Sequence, residues 1–378
     1  MASRAKTIYR ADVVGSMLRP RELVEARAAW REGRLAEEEY RAVEDAAVDR
    51  ALRIQEEAGV DVATDGEMRR DIFFDQFVSG MDGFSPVQAY TVQFHESGND
   101  ANVAMVVEIP FSVTGRLKVH SSPLLDEYLA AKDRTDKPLK VTMPSPTLVG
   151  AFWNNELSRE AYADPFELFA DAAELLRGWA EELFAAGCPY VQVDAPEFNE
   201  VYADERIREE YEERGIDTER FKSEGAELLG RLGSVPRPEG SVFGLHVCKG
   251  NGTQSYIARG GYEDISREVF RRADDFDVFL MEYDDERSGS FEPLRHLPDD
   301  KGVVLGMVSS KWEALEDADE LKRRIDEAAQ FHPKENLGLA TQCGFASASE
   351  TAEQRLMTAE AQAGKLKLIA DVAHDVWG

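Results

Sequence analysis

VFGLHVCKGN, residues 242–251, opens on apolar and β-branched side chains and then delivers a histidine, a cysteine and a glycine in quick succession. The pattern recurs as VFLMEYDDE at 278–286, VVLGMVSSK at 303–311 and LGLATQCGF at 337–345. Each is a short, nearly continuous apolar run, as expected of a parallel strand buried on both faces, with polar groups gathered at its end. Similar runs lie near Ala11–Val14, Val60–Thr64, Leu139–Met143 and Tyr190–Val193. Between most of them the apolar residues fall at helical spacing, over Glu37–Glu57, Pro165–Ala186, Asp317–Gln330 and Thr351–Val372. In the last stretch Leu356, Ala359, Ala363, Leu366 and Ala370 trace the stripe. Eight strands alternating with helices predict a (β/α)8 TIM barrel, and residues 1–378 read as one domain. A doubly wound open sheet would place G-x-G-x-x-G after the first strand, and none is there. GNGTQS at Gly250–Ser255 is too short and too late for a dinucleotide loop.

Two regions break the rhythm. Between the second and third strands, YTVQF at Tyr90–Phe94 and VAMVVEIPFSVTG at Val103–Gly115 both read as β. They predict a β-hairpin insertion over one barrel mouth, followed by a helix near Leu124–Ala131. The other is Asp204–Leu232, a charged helical excursion whose plain reading is a solvated helix pair and whose alternative is a homo-oligomer contact.

The chain carries 44 basic and 73 acidic residues, a formal net charge of −29. Such a field repels nucleic acid and anionic membranes, so neither is expected as a partner. MASRAKTIYR is followed by no signal-like apolar run, and no stretch of about 18 apolar residues occurs. A soluble, cytoplasmic protein is expected. Three cysteines, Cys188, Cys248 and Cys343, argue against a disulfide framework and leave metal binding, catalysis or burial.

In a barrel, chemistry collects at the C-terminal ends of the strands. His246 and Cys248 stand two apart on the fifth run, so an extended backbone aims both at one face. Glu282 ends the sixth run and Cys343 the eighth. Two thiolates, an imidazole and a carboxylate form a tetrahedral donor set of the kind zinc prefers. Zinc of this type deprotonates a thiol, whose ordinary pKa near 8.5 leaves little thiolate at neutral pH. Taken singly, each residue also reads as core or rim. A glutamate held weakly can give way to a substrate sulfur.

With these residues in view, the whole chain resembles the catalytic C-terminal barrel of cobalamin-independent methionine synthase, and more closely the short single-barrel members of that family. VVGSMLRP at Val13–Pro20 is similar to the family's I-G-S-F-P-R segment, which implies that Gly15 and Ser16 hold the homocysteine carboxylate. DGEMRRD at Asp65–Asp71 resembles H-G-E-x-x-R-x-D and implies that Glu67 grips the substrate ammonium. VQVDAPEF at Val191–Phe198 resembles I-Q-I-D-E-P and implies Asp194 as the second amine-binding carboxylate, with Ala195 in place of the second acid. The family's zinc ligands fall on His246, Cys248, Glu282 and Cys343. Its strand-seven histidine, a proton carrier, is replaced near Ser309–Lys311, which makes Lys311 the candidate acid or anion clamp. Trp153 stands where the family has an aromatic residue that stacks on the pterin, although a core position explains it as well.

The resemblance thus implies a zinc-dependent S-methyltransferase acting on homocysteine, with a methylated folate or pterin, or another methyl carrier, as donor. A similar alternative is an epoxyalkane:coenzyme M transferase, for which Arg19 or Lys311 would meet the sulfonate. A non-catalytic zinc-binding barrel and a lyase of the uroporphyrinogen decarboxylase type complete the readings.

Overall fold

The computed structural model describes residues 8–96, 99–252, 254–347 and 357–378. Six of the eight apolar runs form one parallel sheet. Its spatial order is Leu337–Thr341, Gly302–Val308, Val278–Glu282, Val242–Val247, Tyr190–Asp194 and Lys140–Pro144. Every residue of these strands is buried, as their unbroken apolar composition requires. The first two runs contract to single parallel bridges, Ala11 to Leu339 and Ala63 to Leu139, one at each edge of the sheet. The Asp61 N–H then donates to the Ala11 carbonyl at 2.9 Å and links the two segments. Asp12 contributes to the contraction, because its own carboxylate takes the Val13 N–H at 2.7 Å.

Helices cover the sheet and begin where the sequence signals them. Asp164 accepts the N–H groups of Phe166 and Glu167 ahead of Pro165–Ala185, which starts on proline, and Asp317 accepts that of Glu320 ahead of Ala318–Ala328. Glu37–Ala58 ends at Gly59, whose φ of 85° suits glycine. The first of these buries Phe166, Phe169, Leu176, Trp179 and Leu183 along one stripe. At the end of the chain the helix spans Ala359–Trp377; of the expected stretch, Thr351–Leu356 lies outside the described residues. Among the described residues no helix is long and apolar enough to cross a membrane.

Tyr90–Glu96 pairs antiparallel with Asn99–Ile109, and Ser112–Val119 pairs instead with Met81–Ser85. The single β run expected over 103–115 therefore divides at Pro110, which has no N–H to continue a ladder. Tyr90–Glu96 also pairs with Ser255–Tyr256, tying this region to the segment that follows His246 and Cys248. The excursion after the Tyr190–Asp194 strand differs from a solvated helix pair. Ile207, Tyr211, Phe221, Leu229 and Leu232 are all buried, so the excursion packs an apolar face inward.

Candidate active site

The strand register decides which side chains meet. His246 lies opposite Asp194 on one neighbouring strand and Leu280 on the other, so the sheet's C-terminal ends are level here. The ligand atoms of His246, Cys248 and Cys343 lie within 4.8 Å of one another, and all three residues are buried. Neither ring nitrogen of His246 has a hydrogen-bonding partner among the side chains and backbone around it. Leaving a buried imidazole unsatisfied costs about 1–3 kcal/mol, so a ligand at these nitrogens is the expected remedy. Two thiols and an imidazole with free lone pairs fit a borderline-soft metal ion.

The thiols are already uneven. A hydrogen bond from Cys248 outweighs burial and, with His246, holds the Cys343 thiol below the usual cysteine range. The same hydrogen bond, with burial, pushes Cys248 above it. Burial opposes the imidazolium of His246, yet Cys343 and Asp194 raise it.

Glu282 stands outside the three-residue group and is fully buried. One carboxylate oxygen accepts from Lys311 at 3.1 Å and Arg287 at 3.2 Å, the other from the Lys249 N–H at 2.9 Å. Burial works against its charge, but Lys311, Lys249 and Arg287 hold it well below the usual carboxylate range. Lys311 also reaches Asp284 at 2.9 Å, and this pair of acids more than offsets burial and raises its pKa.

A cavity of about 330 Å³ opens over the cluster, and Gly15, Ser16, Glu67, Asp194 and Lys311 border it with the three putting forward ligand atoms. Glu67 is buried, with backbone φ of 55°, and accepts from the Thr142 hydroxyl at 2.7 Å. Its other oxygen has no partner, and burial raises its pKa despite Arg70. A Cβ at position 15 would come within 2.6 Å of the Glu67 carboxylate, so Gly15 makes room for that group. Asp194 accepts from Gln192 at 2.7 Å and is pushed up to about 7 by burial. Ser16 sits against the chain beyond Cys343, its hydroxyl accepting the Ala346 N–H at 3.2 Å.

Trp153 does not border the cavity. It is 1% exposed, and its indole N–H donates to the Arg214 carbonyl at 3.1 Å. Arg19 is likewise spent inside, donating to the carbonyls of Arg70, Ala346 and Glu67.

Other residues complete the wall. Tyr90, Val92, Phe94, Met105, Val107 and Ile109 supply an apolar side; Glu197 and Glu200 face the cavity from the helix Pro196–Ala203, and Tyr211 and Arg214 from the excursion. In the sequence, Glu197 and Glu200 follow Asp194 at intervals of three, which on a helix opening at Pro196 sets both on one face; that spacing was the available signal.

The family model described as cobalamin-independent synthase, catalytic domain, matches residues 10–231 and 244–365. The chain is 34% identical over 375 residues to the uncharacterized protein YxjH of Bacillus subtilis (strain 168), covering 98% of this chain and 96% of that protein. It is 24% identical over 343 residues to a methionine synthase of Saccharolobus solfataricus, covering 88% and 87% of the two chains. Among solved structures, a B12-independent methionine synthase from Shewanella sp. W3-18-1, in complex with selenomethionine, superposes with a TM-score of 0.68 at 20% identity, over 91% of this chain and 90% of that one.

Proposed function

This chain belongs to the cobalamin-independent methionine synthase family and is a methyltransferase of that type, and from that premise we propose a zinc-dependent S-methyltransferase that takes homocysteine as acceptor and forms methionine. The donor in this reading is a methylated folate or pterin, or another methyl carrier. The observation that carries it is the buried His246, with both ring nitrogens unpartnered, beside the thiols of Cys248 and Cys343.

His246, Cys248 and Cys343 would hold the ion, with Glu282 as the ligand able to exchange between it and Lys311. Zinc, when bound there, lowers the pKa of a substrate thiol so that it reacts as thiolate. The chain's own groups position the amino acid. Glu67, with one free carboxylate oxygen, and Asp194 would take the ammonium, whose charge returns both acids to their ionised forms. Ser16 and the backbone around Gly15 would meet the carboxylate. The apolar wall of Val92, Phe94, Met105 and Val107 keeps water from the donor side.

The same reading takes the six-stranded sheet, with the Ala11 and Ala63 segments bridged to its edges, as a single-domain (β/α)8 barrel, and the Tyr90–Ile109 strands as a hairpin inserted over its mouth. A sulfonate thiol fits less well, because Arg19 is committed to backbone carbonyls and Lys311 to two acids. Selenomethionine bound to the Shewanella relative is an analogue of the product expected here.

X-ray absorption at the zinc edge, with and without homocysteine, tests the assignment. Sulfur neighbours should rise from two to three; a count that stays at two overturns direct thiol binding. Cys343→Ala should lose its metal on dialysis, and full zinc content in that variant would remove Cys343 from the site.

A further inference from the structure

One face of the parallel sheet packs Val242, Val278, Leu280, Val304 and Ala340 into an apolar layer with Tyr190. At Tyr190 that layer meets an ion pair. The Lys140 ammonium donates to one Asp12 oxygen at 2.8 Å, and both side chains are shut off from water. The Tyr190 hydroxyl donates to the other Asp12 oxygen at 3.1 Å, and its ring centroid lies 4.8 Å from the ammonium. Desolvating two ions costs several kcal/mol, and well-packed apolar side chains of the same volume often serve stability as well or better. The use of the pair therefore lies in what it holds.

Lys140 also donates to Gln192 Oε1 at 2.7 Å. An ammonium has donors only, so the amide can offer it nothing but its oxygen. Gln192 Nε2 is thereby turned to two acceptors, the Val14 carbonyl at 2.9 Å and an Asp194 carboxylate oxygen at 2.7 Å. Turned over, the amide would set its NH2 against the ammonium and its oxygen against both acceptors. Tyr190, Gln192 and Asp194 alternate along one strand and share a face, with His246 opposite Asp194. Lys140 enters from the next strand, opposite Tyr190. Two residues further along that strand, Thr142 donates to Glu67.

We propose that Lys140 is a positioning residue for the amino-acid end of the substrate. Paired with Asp12, it fixes the Gln192 amide, and that amide sets the Asp194 carboxylate at one span from the backbone of Val14–Ser16. The proposal deepens the homocysteine reading above and rests on it, since Asp194 is there the partner of the ammonium and Gly15 and Ser16 of the carboxylate. An α-amino acid carries those two groups on one carbon, so a fixed span selects it over a thiol acid that lacks the ammonium. Lys140, Asp12 and Gln192 do not border the cavity, whereas Val14 and Asp194 do, so the pair acts through them. Burial lowers the Lys140 pKa, while Asp12 first, then Asp194 and Glu67, favour its charged form.

Combining Asp12→Asn with Lys140→Met removes both charges and leaves neither buried alone. Calorimetry on the zinc-loaded protein then compares homocysteine with γ-mercaptobutyrate, the same thiol acid without its ammonium. The double variant should lose roughly 10–100-fold in homocysteine affinity, the usual size of a hydrogen bond to a charged group, and keep its affinity for γ-mercaptobutyrate. An equal loss for both thiols, or none for either, makes the pair structural and overturns the proposal. Gln192→Met leaves the ion pair in place and should show the same selective loss, which decides the matter if the double variant does not fold. A crystal structure of the double variant without substrate gives a readout that needs no thiol. The Asp194 carboxylate should leave hydrogen-bonding reach of Gln192, and both side chains unmoved would overturn the proposal. Wild type without affinity for homocysteine would remove the acceptor reading instead, while the position of Asp194 still decides the role of Lys140.

Discussion

Glu282 and Glu200 are both buried carboxyl groups near one cavity, yet their surroundings have opposite characters. Glu282 ends a strand of the parallel sheet and meets Lys311, Arg287 and the Lys249 N–H. Glu200 rides a short helix, beside Glu197 and Glu210, and keeps an oxygen without a partner. The strand-end acid is thereby shifted toward its charged form and the helix acid toward its neutral form, although both are buried. Burial pushes both toward the neutral form; at Glu282 the neighbouring cations overcome it, and at Glu200 the neighbouring acids add to it.

The strongest way to break this contrast is to remove the cation from the charged end. Lys311→Met in metal-free protein leaves Glu282 and Asp284 buried with one counter-charge fewer. Urea unfolding should show a loss of about 3–5 kcal/mol, the usual consequence of breaking a buried pair. A loss below about 1 kcal/mol would mean that Arg287 and the Lys249 N–H suffice for Glu282.

At the neutral end, pH is the lever. Glu200 moves from an ordinary 4.5 when unfolded to about 8 when folded, so between those values the folded state binds the extra proton. Its contribution to stability is full below about 4.5 and is lost as pH rises through about 8. The stability of wild type relative to Glu200→Gln should therefore fall with pH in that window, by on the order of 1.4 kcal/mol per unit. Parallel stability curves would show that the carboxyl is as solvated folded as unfolded.

The smallest expected effect lies at the boundary between the two environments. The Tyr90 hydroxyl donates to Glu210, which faces Glu200 from the neighbouring helix. Tyr90→Phe should cost about 1 kcal/mol and move the pH midpoint of the Glu200 protonated-carboxyl infrared band upward, because Glu210 loses the donor that partly neutralises it. A midpoint unchanged by Tyr90→Phe would separate Glu200 from the strand wall.

How much of this was readable beforehand differs between the same two regions. His246, Cys248 and Cys343 announced themselves because strands carry side chains to known faces and parallel strands end at one level; the structure gathers these three. Gly15, Ser16, Glu67 and Asp194 came into view through resemblance, and they border the same cavity. Trp153 was ambiguous because an aromatic residue after a strand suits a core as well as a ligand face, and its indole is taken by Arg214. The 103–115 run looked like one strand because its composition hides how strongly Pro110 interrupts a ladder. Glu197 and Glu200 fall in a segment where acidic residues are common; their spacing sets them on one helix face, but only the fold turns that face inward.

The sequence by itself determined the alternation of buried strands and capped helices, since unbroken apolar runs and helical stripes have few other ways to leave water. It also determined the chemical types available at the strand ends. Only the tertiary structure decided which acids are charged. That depends on Lys311 and Arg287 reaching Glu282 and on no cation reaching Glu200 among the described residues. Charge interactions act through space over a few ångströms, between residues whose separation along the chain says nothing about their distance in the fold.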